Sequence, residues 1–393
     1  MTVRLLLAIA FLLFSSEALL ASERKPFTFT YVMREGDPAY EPQKAYTGLS
    51  LRDKKRPIDG AMLGYRDSRI LGRAIGLKFK LEDSVLTQEQ NAAQTIRALL
   101  LEGRSVFLID LPFEETLGLA KELSGEELLL FNIRHHEDGL RGDACSRILF
   151  HSIPSHSMLM DSLSQFLVKK NWKEVLILEG EEDGDRVLAD AFQASADKFG
   201  LEIEDRRTFK LGKDPRERAE NNIALLTSDV DYDVIFVADS LGEVGRTIPY
   251  NSQDPRPVVG SEGLVPNTWH WTFERYGAPQ LNQRFEKIAK RKMVGEDWAA
   301  WAAVRVVVEA LTRGADPNPA SIREKLLDPE LTFDSYKGEP ASFRPWNNQM
   351  RQALLLHTHN VVVARAPIEG FLHQTSVLDT LGVDKTESNC IQN

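Results

Sequence analysis

The stretch from Arg147 to Gly180 constrains the fold more than any other part of the chain. It opens with a short apolar segment that ends at Pro154, and Ser155 can cap the helix pattern that follows. Four apolar residues of that pattern share one helix face: Leu159, Leu163, Phe166 and Leu167. The uninterrupted apolar run at 175–178 is typical of a strand in a parallel sheet that is covered on both faces. The stretch therefore predicts a strand, a crossing, a helix and a second strand.

Strand and helix patterns alternate on both sides of this stretch. Before it, we predict strands at 27–33, 77–81, 105–110 and 128–132 and helices at 58–75, 89–101 and 113–123. After it, we predict helices at 185–199 and 215–226 and strands at 201–209, 234–238 and 257–260. Helices at 278–290, 297–312 and 320–326 follow, and strands at 351–357 and 361–364 form a hairpin. The alternation predicts an α/β protein with two lobes, each a mostly parallel sheet flanked by helices.

We expect both lobes to be discontinuous in sequence, because the chain returns to each of them after a crossing. Three interlobe crossings are predicted, with lobe 1 formed by 22–152 and 260–332 and lobe 2 by 153–259 and 333–393. Whether the tail of lobe 2 returns to the hinge is left open. The polar segment 34–57 is long for a connection in a compact domain, and it is therefore either functional or flexible.

The first 21 residues predict a secretory signal peptide. Arg4 precedes an apolar run at 5–14, and small residues follow at Ala18 and Ala21. A charged region, a short apolar core and a small-residue cleavage site in this order are typical of such signals. We therefore expect a periplasmic protein without a lipid anchor, since no cysteine lies near the cleavage point. The net charge of −10 argues against a nucleic-acid partner.

The chain contains two cysteines, Cys145 and Cys390, and both follow the predicted cleavage site. In an oxidising compartment they can form a disulfide, which stabilises a protein by closing a long loop. The alternative is two separate buried thiols. We predict the disulfide.

Four stretches carry a resemblance to known proteins. They are FHSIPSHSMLMDSLSQFLVKKNWKEVLIL at 150–178, MVGEDWAAWAAVRVVVEAL at 293–311, FRPWNNQMRQALLL at 343–356 and APIEGFLHQTSVLDTLG at 366–382. The first resembles a lobe crossing of the type I periplasmic solute-binding proteins of ABC transporters, in the branch related to branched-chain amino acid receptors. The other three resemble a subfamily that accompanies pyrroloquinoline quinone-dependent alcohol dehydrogenase systems, in some cases beside lanthanide-uptake functions.

The resemblance implies a monomeric receptor that closes over a small solute between its lobes and docks on an ABC permease with its ATPase. It also implies a link to components of the alcohol dehydrogenase system. Two alternatives stay open: a sensor or accessory protein of that system without a transport role, and a carrier of lanthanide or calcium. The turns that would hold an amino acid ligand read IDLPFEE and FNIRHHEDG, without Ser or Thr, so an aliphatic amino acid is not the expected ligand.

Candidate ligand contacts follow from the rule that ligands of open α/β sheets bind beyond the carboxyl ends of the strands. In lobe 1 the candidates are Arg34, Glu35, Asp110, Asn132, Arg134 and His135. In lobe 2 and at the second crossing they are Glu181, Asp239, Ser240, Glu262 and Trp269. Each of these side chains alone fits a solvated loop as readily as a ligand contact.

Catalytic and metal-binding patterns are weak in this sequence. It contains no nucleophile elbow, P-loop, zinc-protease motif or dinucleotide fingerprint, so we expect no enzyme and no cofactor. The carboxylates at 179–190 have the spacing of a calcium loop, but they follow a strand and are better explained as a helix cap. His357 and His359 lack nearby carboxylates, and no metal site is predicted. The tryptophans at 298 and 301 fit a buried helix face.

Overall fold

A computed structural model describes residues 24–44, 50–52, 54–210 and 222–391. The predicted signal peptide lies outside these residues, as does most of the helix predicted at 215–226. The helices are α1 (Ile58–Ala74), α2 (Ala92–Leu101), α3 (Phe113–Glu122), α4 (His156–Lys170), α5 (Asp183–Phe199), α6 (Ile223–Leu226), α7 (Ile248–Asn251), α8 (Ala278–Ala289), α9 (Gly295–Thr312) and α10 (Pro319–Leu326). None of them, within the described part of the chain, combines the length and the hydropathy that a membrane span requires.

The strands agree with the predicted alternation, and some of them are longer than predicted. They are β1 (Lys25–Arg34), β2 (Gln43–Lys44), β3 (Ser50–Arg52), β4 (Leu77–Leu86), β5 (Val106–Asp110), β6 (Leu129–Asn132), β7 (Leu149–His151), β8 (Glu174–Glu179), β9 (Glu202–Thr208), β10 (Val234–Ala238), β11 (Val258–Gly260), β12 (Val265–Asn267), β13 (Ser342–Phe343), β14 (Met350–Arg351), β15 (Leu354–His357) and β16 (Val362–Ala366). The predicted hairpin at 351–364 is present as β15 and β16.

The first lobe is built on a five-stranded parallel sheet in the order β4-β1-β5-β6-β7. Helices α1, α8, α9 and α10 cover one face, and α2 and α3 cover the other. The Trp-rich face of α9 is buried as expected, with Trp298 and Trp301 in the core beside Phe333. Their indoles bury large apolar areas, and the N–H of Trp298 donates to the Ser335 carbonyl at 3.1 Å.

The second lobe is built on a four-stranded parallel sheet in the order β11-β10-β8-β9. Helices α4 and α5 cover one face, and the short helices α6 and α7 lie against the other. Ser155 caps α4 through the Met158 amide, as the sequence predicts, and Asn171 ends the helix in a left-handed conformation. The protein is therefore α/β, with two parallel-sheet cores flanked by helices.

Three segments join the lobes, and buried side-chain amides hold them together. Asn348, in the third crossing, donates to the carbonyls of Ser146 and Leu149, which lie just before and at the start of β7, ahead of the first crossing. Gln349 donates to the carbonyl of Ile153, and the Gln352 amide donates to that of Ser152. The hinge is therefore a hydrogen-bonded layer between segments about 200 residues apart in sequence.

Lys337 lies in this layer and is fully buried. Its amine donates to the Thr268 carbonyl at 3.1 Å and to Gln352 Oε1 at 2.7 Å, and Nζ lies 3.5 Å from the centroid of the Trp298 ring. The described structure places no carboxylate in hydrogen-bond contact with it. Burial therefore holds the pKa of Lys337 well below its usual value of 10.5.

The buried amine predicts a pH-dependent stability. Below pH 10.5 the unfolded chain binds a proton at Lys337 more readily than the folded chain, so stability should rise with pH between the folded pKa and 10.5. The limiting slope is about 1.4 kcal/mol per pH unit for one proton. Chemical denaturation between pH 8 and 10 should show this slope, and Lys337→Met should reduce it by that amount. Parallel pH profiles for the two proteins would contradict the prediction.

The predicted disulfide between Cys145 and Cys390 is present, with the sulfur atoms 2.03 Å apart. The tail that carries Cys390 first contacts the second lobe, where the Gly382 amide donates to Asp161 and Lys198 donates to the Gly382 carbonyl. It then reaches the loop of the first lobe that carries Cys145. The disulfide therefore ties the C-terminal tail to the first-lobe loop that precedes β7.

Candidate functional site

A cleft of about 1070 Å³ lies between the carboxyl ends of the two parallel sheets. The first lobe lines it with Ala39, Tyr40, Lys54, Lys55, Pro112, Phe113, Arg134, His135, His136 and Glu137. The second lobe contributes His156, Asp183, Gly184, Val187, Leu188 and Ser240. Asn267, Arg291, Lys292, Val294 and Glu296 complete the lining beside the second crossing. The cleft is therefore a place where a small molecule can contact both lobes at once.

Asp110 organises the first-lobe wall without being exposed itself. Asp110 is the last residue of β5 and is fully buried. Its carboxylate accepts hydrogen bonds from the hydroxyls of Tyr31 at 2.8 Å and Tyr40 at 2.6 Å. It also accepts from Arg56 at 2.8 Å and from Arg134 at 3.4 Å. With four donors its hydrogen-bonding capacity is filled by the protein. Asp110 therefore holds Tyr40 and Arg134 at the cleft wall.

Two guanidinium groups lie close to the ring of Tyr40. Arg56 is 4.3 Å and Arg134 is 5.2 Å from the centroid of its ring. Burial, followed by the charge of Asp110, raises the pKa of Tyr40, so its hydroxyl remains a proton donor at neutral pH. Arg134 is also paired with the buried Asp37 at 2.5 Å. The long segment 34–57 thus forms part of the wall through Ala39, Tyr40, Lys54 and Lys55.

Asn132 shapes the turn that carries the next lining residues. Its Oδ1 accepts from the amides of Arg134 at 3.1 Å and His135 at 2.8 Å, and its amide donates to the His135 carbonyl at 2.8 Å. Asn132 is fully buried at the end of β6. It therefore positions this turn and does not face the cleft.

Three imidazoles line the floor of the cleft, and all three are neutral at neutral pH. Burial lowers the pKa values of His135 and His136, and it lowers that of His156 to about 3. His135 hydrogen-bonds to the Leu111 carbonyl at 2.7 Å and meets the edge of Phe113, with ring centroids 5.7 Å apart. The rings of His136 and His156 are 5.4 Å apart. The floor is therefore aromatic and uncharged.

The second-lobe wall is formed by the first turns of α5. Glu182 and Asp185 form a capping box at its N-terminus, and Asp185 also accepts from the Ser240 amide at 2.5 Å. Val187 follows on the same helix and is 46% exposed. This wall therefore combines backbone and hydroxyl groups with an open apolar surface.

The structure divides the predicted site residues into three groups. Arg134, His135 and Ser240 line the cleft. Asp110 and Asn132 lie directly behind that lining. The remaining candidates lie elsewhere and are Arg34, Glu35, Glu181, Asp239, Glu262 and Trp269.

Local contacts explain the positions of the last group. Arg34 pairs with Glu115, and Trp269 lies in the core with its N–H on Asn282 at 3.0 Å. Asp239 is buried and accepts from the amides of a turn that includes Val244 and Gly245. Glu262 accepts from the Gly263 amide. Glu35 and Glu181 are exposed outside the lining. Arg34, Asp239, Glu262 and Trp269 therefore serve local structure, and Glu35 and Glu181 lie at the surface away from the cleft.

Sequence reasoning missed several lining residues, including Tyr40, Phe113, Val187 and Arg291. The only available signal was the unusual length of segment 34–57, which drew attention to the region of Tyr40. Phe113 and Val187 looked like ordinary members of amphipathic helices. Their exposure to the cleft depends on how the two lobes face each other.

The calcium-loop reading of the acidic stretch finds no support. Glu179 and Asp190 both pair with Arg206, at 2.6 and 2.7 Å, and Glu182 and Asp185 cap α5. Among the described residues, no group of three or more His, Cys, Asp or Glu side chains is arranged to hold a metal ion. His357 stacks on His270 with ring centroids 3.9 Å apart. The acidic stretch is therefore a helix cap.

No protein-family model and no curated protein matched the sequence. Solved structures did match over most of the chain. One is a branched-chain amino acid ABC transporter periplasmic ligand-binding protein from Burkholderia xenovorans, with 12% identity, a TM-score of 0.69 and coverage of 86% of this chain and 95% of that chain. Another is the leucine-, isoleucine-, valine-, threonine- and alanine-binding protein of Brucella ovis in its closed conformation, with 14% identity, a TM-score of 0.65 and coverage of 94% and 99%.

A third is the branched-chain amino acid transporter substrate-binding protein of Streptococcus pneumoniae in complex with isoleucine. It has 16% identity, a TM-score of 0.61 and coverage of 87% of this chain and 99% of that chain. At these identities the similarity establishes the fold. This chain therefore has the two-lobed fold of the type I periplasmic binding proteins, as the sequence predicted.

Proposed function

We propose that this protein is a periplasmic substrate-binding protein of an ABC transporter. The observation that carries the proposal is the cleft of about 1070 Å³, which both lobes line together. Pockets of roughly 300–1,000 Å³ are typical of small-ligand sites, so the cleft has room for a small solute and its water. The structural neighbours include proteins described as ABC transporter ligand-binding proteins, which supports the transport role.

Binding in this proposal works by hinge closure. A ligand that contacts both walls is bound more tightly by the closed form, so it shifts the population toward that form. The proposed lobes are 22–152 with 260–332 and 153–259 with 333–393. The amide layer of the hinge keeps the crossings in register while the lobes move. The closed protein would then dock on a permease with its ATPase.

The finer assignment is a link to pyrroloquinoline quinone-dependent alcohol oxidation. It is supported by the resemblance of the stretches at 293–311, 343–356 and 366–382 to the subfamily that accompanies those systems. The predicted N-terminal signal peptide and the disulfide between Cys145 and Cys390 are both consistent with a periplasmic location. Deleting the cognate permease and ATPase genes should abolish uptake of the ligand; unchanged uptake would overturn the transport role.

A ligand screen tests whether the cleft binds a solute. The mature protein is tested by thermal shift against amino acids, carboxylates, alcohols, aldehydes, amides, pyrroloquinoline quinone, calcium and lanthanides. A ligand at 100 times its dissociation constant adds about 2.7 kcal/mol to the folded state, which gives a readily measured shift. We expect an organic solute to bind and to decrease the radius of gyration in X-ray scattering. Binding without compaction would contradict hinge closure.

Val187→Asp is expected to weaken binding of that solute about tenfold or more, because it introduces a charge into an apolar wall of the cleft. The matched control is Leu101→Asp, which places the same residue at an exposed apolar position of α2 that is outside the lining. Isothermal calorimetry measures both dissociation constants. Equal affinities for the two variants would place the ligand outside the cleft.

A further inference from the structure

The charges that line the cleft balance each other. Its lysines are Lys54, Lys55 and Lys292, and its carboxylates are Glu137, Asp183 and Glu296. Both lining arginines are paired with buried carboxylates behind the wall. Arg134 pairs with Asp37 at 2.5 Å, and Arg291 contacts Asp297 at 2.5 and 2.7 Å. The described lining therefore has no surplus charge of either sign.

The helix N-termini at the cleft are balanced in the same way. Helices α3, α4, α5 and α9 all begin there, and a helix N-terminus attracts anions through its dipole and its free amides. Three of these helices carry carboxylates in their own first turn: Glu114 and Glu115 in α3, Asp183 and Asp185 in α5, and Glu296 and Asp297 in α9. At α4 the Asp138 carboxylate of the first lobe accepts from the Ser157 amide at 3.1 Å. These four helix N-termini, all within the described residues, therefore offer no uncompensated anion site.

Besides these balanced charges, the lining offers a set of flat rings and neutral polar groups. Tyr40, Phe113 and the neutral imidazoles of His135, His136 and His156 are on the lining. Val187 and Val294 add open apolar surface, at 46% and 43% exposure. The Ser240 hydroxyl and the histidine nitrogens can exchange hydrogen bonds with amide, carbonyl or hydroxyl groups.

We propose that the cleft selects an uncharged ligand with a flat, mainly apolar body that carries amide, carbonyl or hydroxyl groups. This inference rests on the proposed function, because it names the ligand class of the same cleft. The lining holds as many lysines as carboxylates, so an ion of either sign would lose its hydration without meeting a net charge of the opposite sign.

Three isosteric probes test the charge preference. Benzamide, benzoate and benzamidinium share a planar body and the same number of heavy atoms, and they differ in charge. Dissociation constants for the mature protein at pH 7, measured by calorimetry or ligand-observed NMR, should be at least about tenfold lower for benzamide than for either ion. Benzoate or benzamidinium binding as tightly as benzamide would overturn the proposal, and so would the absence of benzamide binding at millimolar concentration.

Two further measurements address shape and charge separately. Cyclohexanecarboxamide keeps the amide and loses the flat ring, and binding as tight as that of benzamide would overturn the flat-body requirement. Glu137→Gln leaves a surplus positive charge on the lining, so it should move the preference toward benzoate by roughly three- to tenfold. Lys55→Gln should move it toward benzamidinium. Glu102→Gln, an exposed charge change outside the lining, is the control for both variants.

These experiments distinguish a failure of the neutral ligand class from a failure of the proposed receptor function. A charged solute that binds wild type and is weakened by Val187→Asp would leave the receptor in place and refute the neutral ligand class. A protein that binds no member of the wider screen would refute both. Binding of benzamide that Val187→Asp leaves unchanged would place the probe outside the cleft and would refute the ligand class proposed for it.

Discussion

Replacing Cys145 and Cys390 together by serine is expected to lower the free energy of unfolding by about 2–5 kcal/mol. The cysteines are 245 residues apart in sequence, so their bond removes much of the freedom of the unfolded chain. The effect should lie toward the upper end of this range, because the entropic stabilisation grows with the logarithm of loop length. Urea or guanidinium denaturation of the two proteins measures it.

Reductant provides the internal control for this prediction. Wild type in reductant should unfold at the denaturant concentration of the double serine variant, and the variant itself should not respond to reductant. The tail should still dock through Gly382 and Asp161, because these contacts do not depend on the disulfide. Coincident unfolding curves for oxidised and reduced wild type would show that the bond does not stabilise the fold.

Asp379→Ala is expected to destabilise the protein by about 3–5 kcal/mol, because it leaves a buried guanidinium without its counter-ion. The carboxylate is fully buried and accepts from Arg344 Nε at 2.8 Å and from Arg351 Nε at 2.8 Å. The side chain of Arg344 is only 1% exposed. It also donates to the carbonyls of Leu378 and Leu381 in the tail, so one charge pair joins the third crossing to the C-terminal segment.

Two further variants test separately the effect of burying the ion pair and the effect of removing the charge of Asp379. Glu126→Ala breaks the exposed pair with Arg97, whose side chains are 37% and 43% exposed, and should change stability by about 1 kcal/mol or less. Asp379→Asn keeps the shape and an acceptor oxygen, so its loss should be smaller than that of Asp379→Ala. Equal, small losses for Asp379→Ala and Glu126→Ala would show that the buried pair contributes no more than a surface pair.

The fold could be predicted because its signals are local. The periodicity of 148–178, the Ser155 cap and the alternation of strands with helices each depend on a few consecutive residues. Strand lengths were less predictable. The outer strand β4 continues to Leu86, five residues past its predicted end, because pairing with β1 supports residues that lack an alternating apolar pattern.

The cleft could be predicted only in outline, because its side chains are fixed by partners far away in sequence. Asp110 was correctly placed at the carboxyl end of a strand, but its four donors come from segments that no local pattern connects. The same is true of Val187, whose exposure depends on the facing lobe. The pairing of the cysteines could be predicted because the chain has two cysteines and the predicted compartment is oxidising.

The disulfide also determines how the molecule should respond to mechanical load. A force applied between residues 24 and 391 passes through the first-lobe strands to Cys145 and from there directly to Cys390. The whole second lobe and all three crossings lie within the bypassed segment and carry no tension. Stretching an oxidised molecule should therefore extend only the part before Cys145. The segment between the two cysteines has a contour length of about 850 Å, at roughly 3.5 Å per residue, and it could be extended only after the disulfide is reduced.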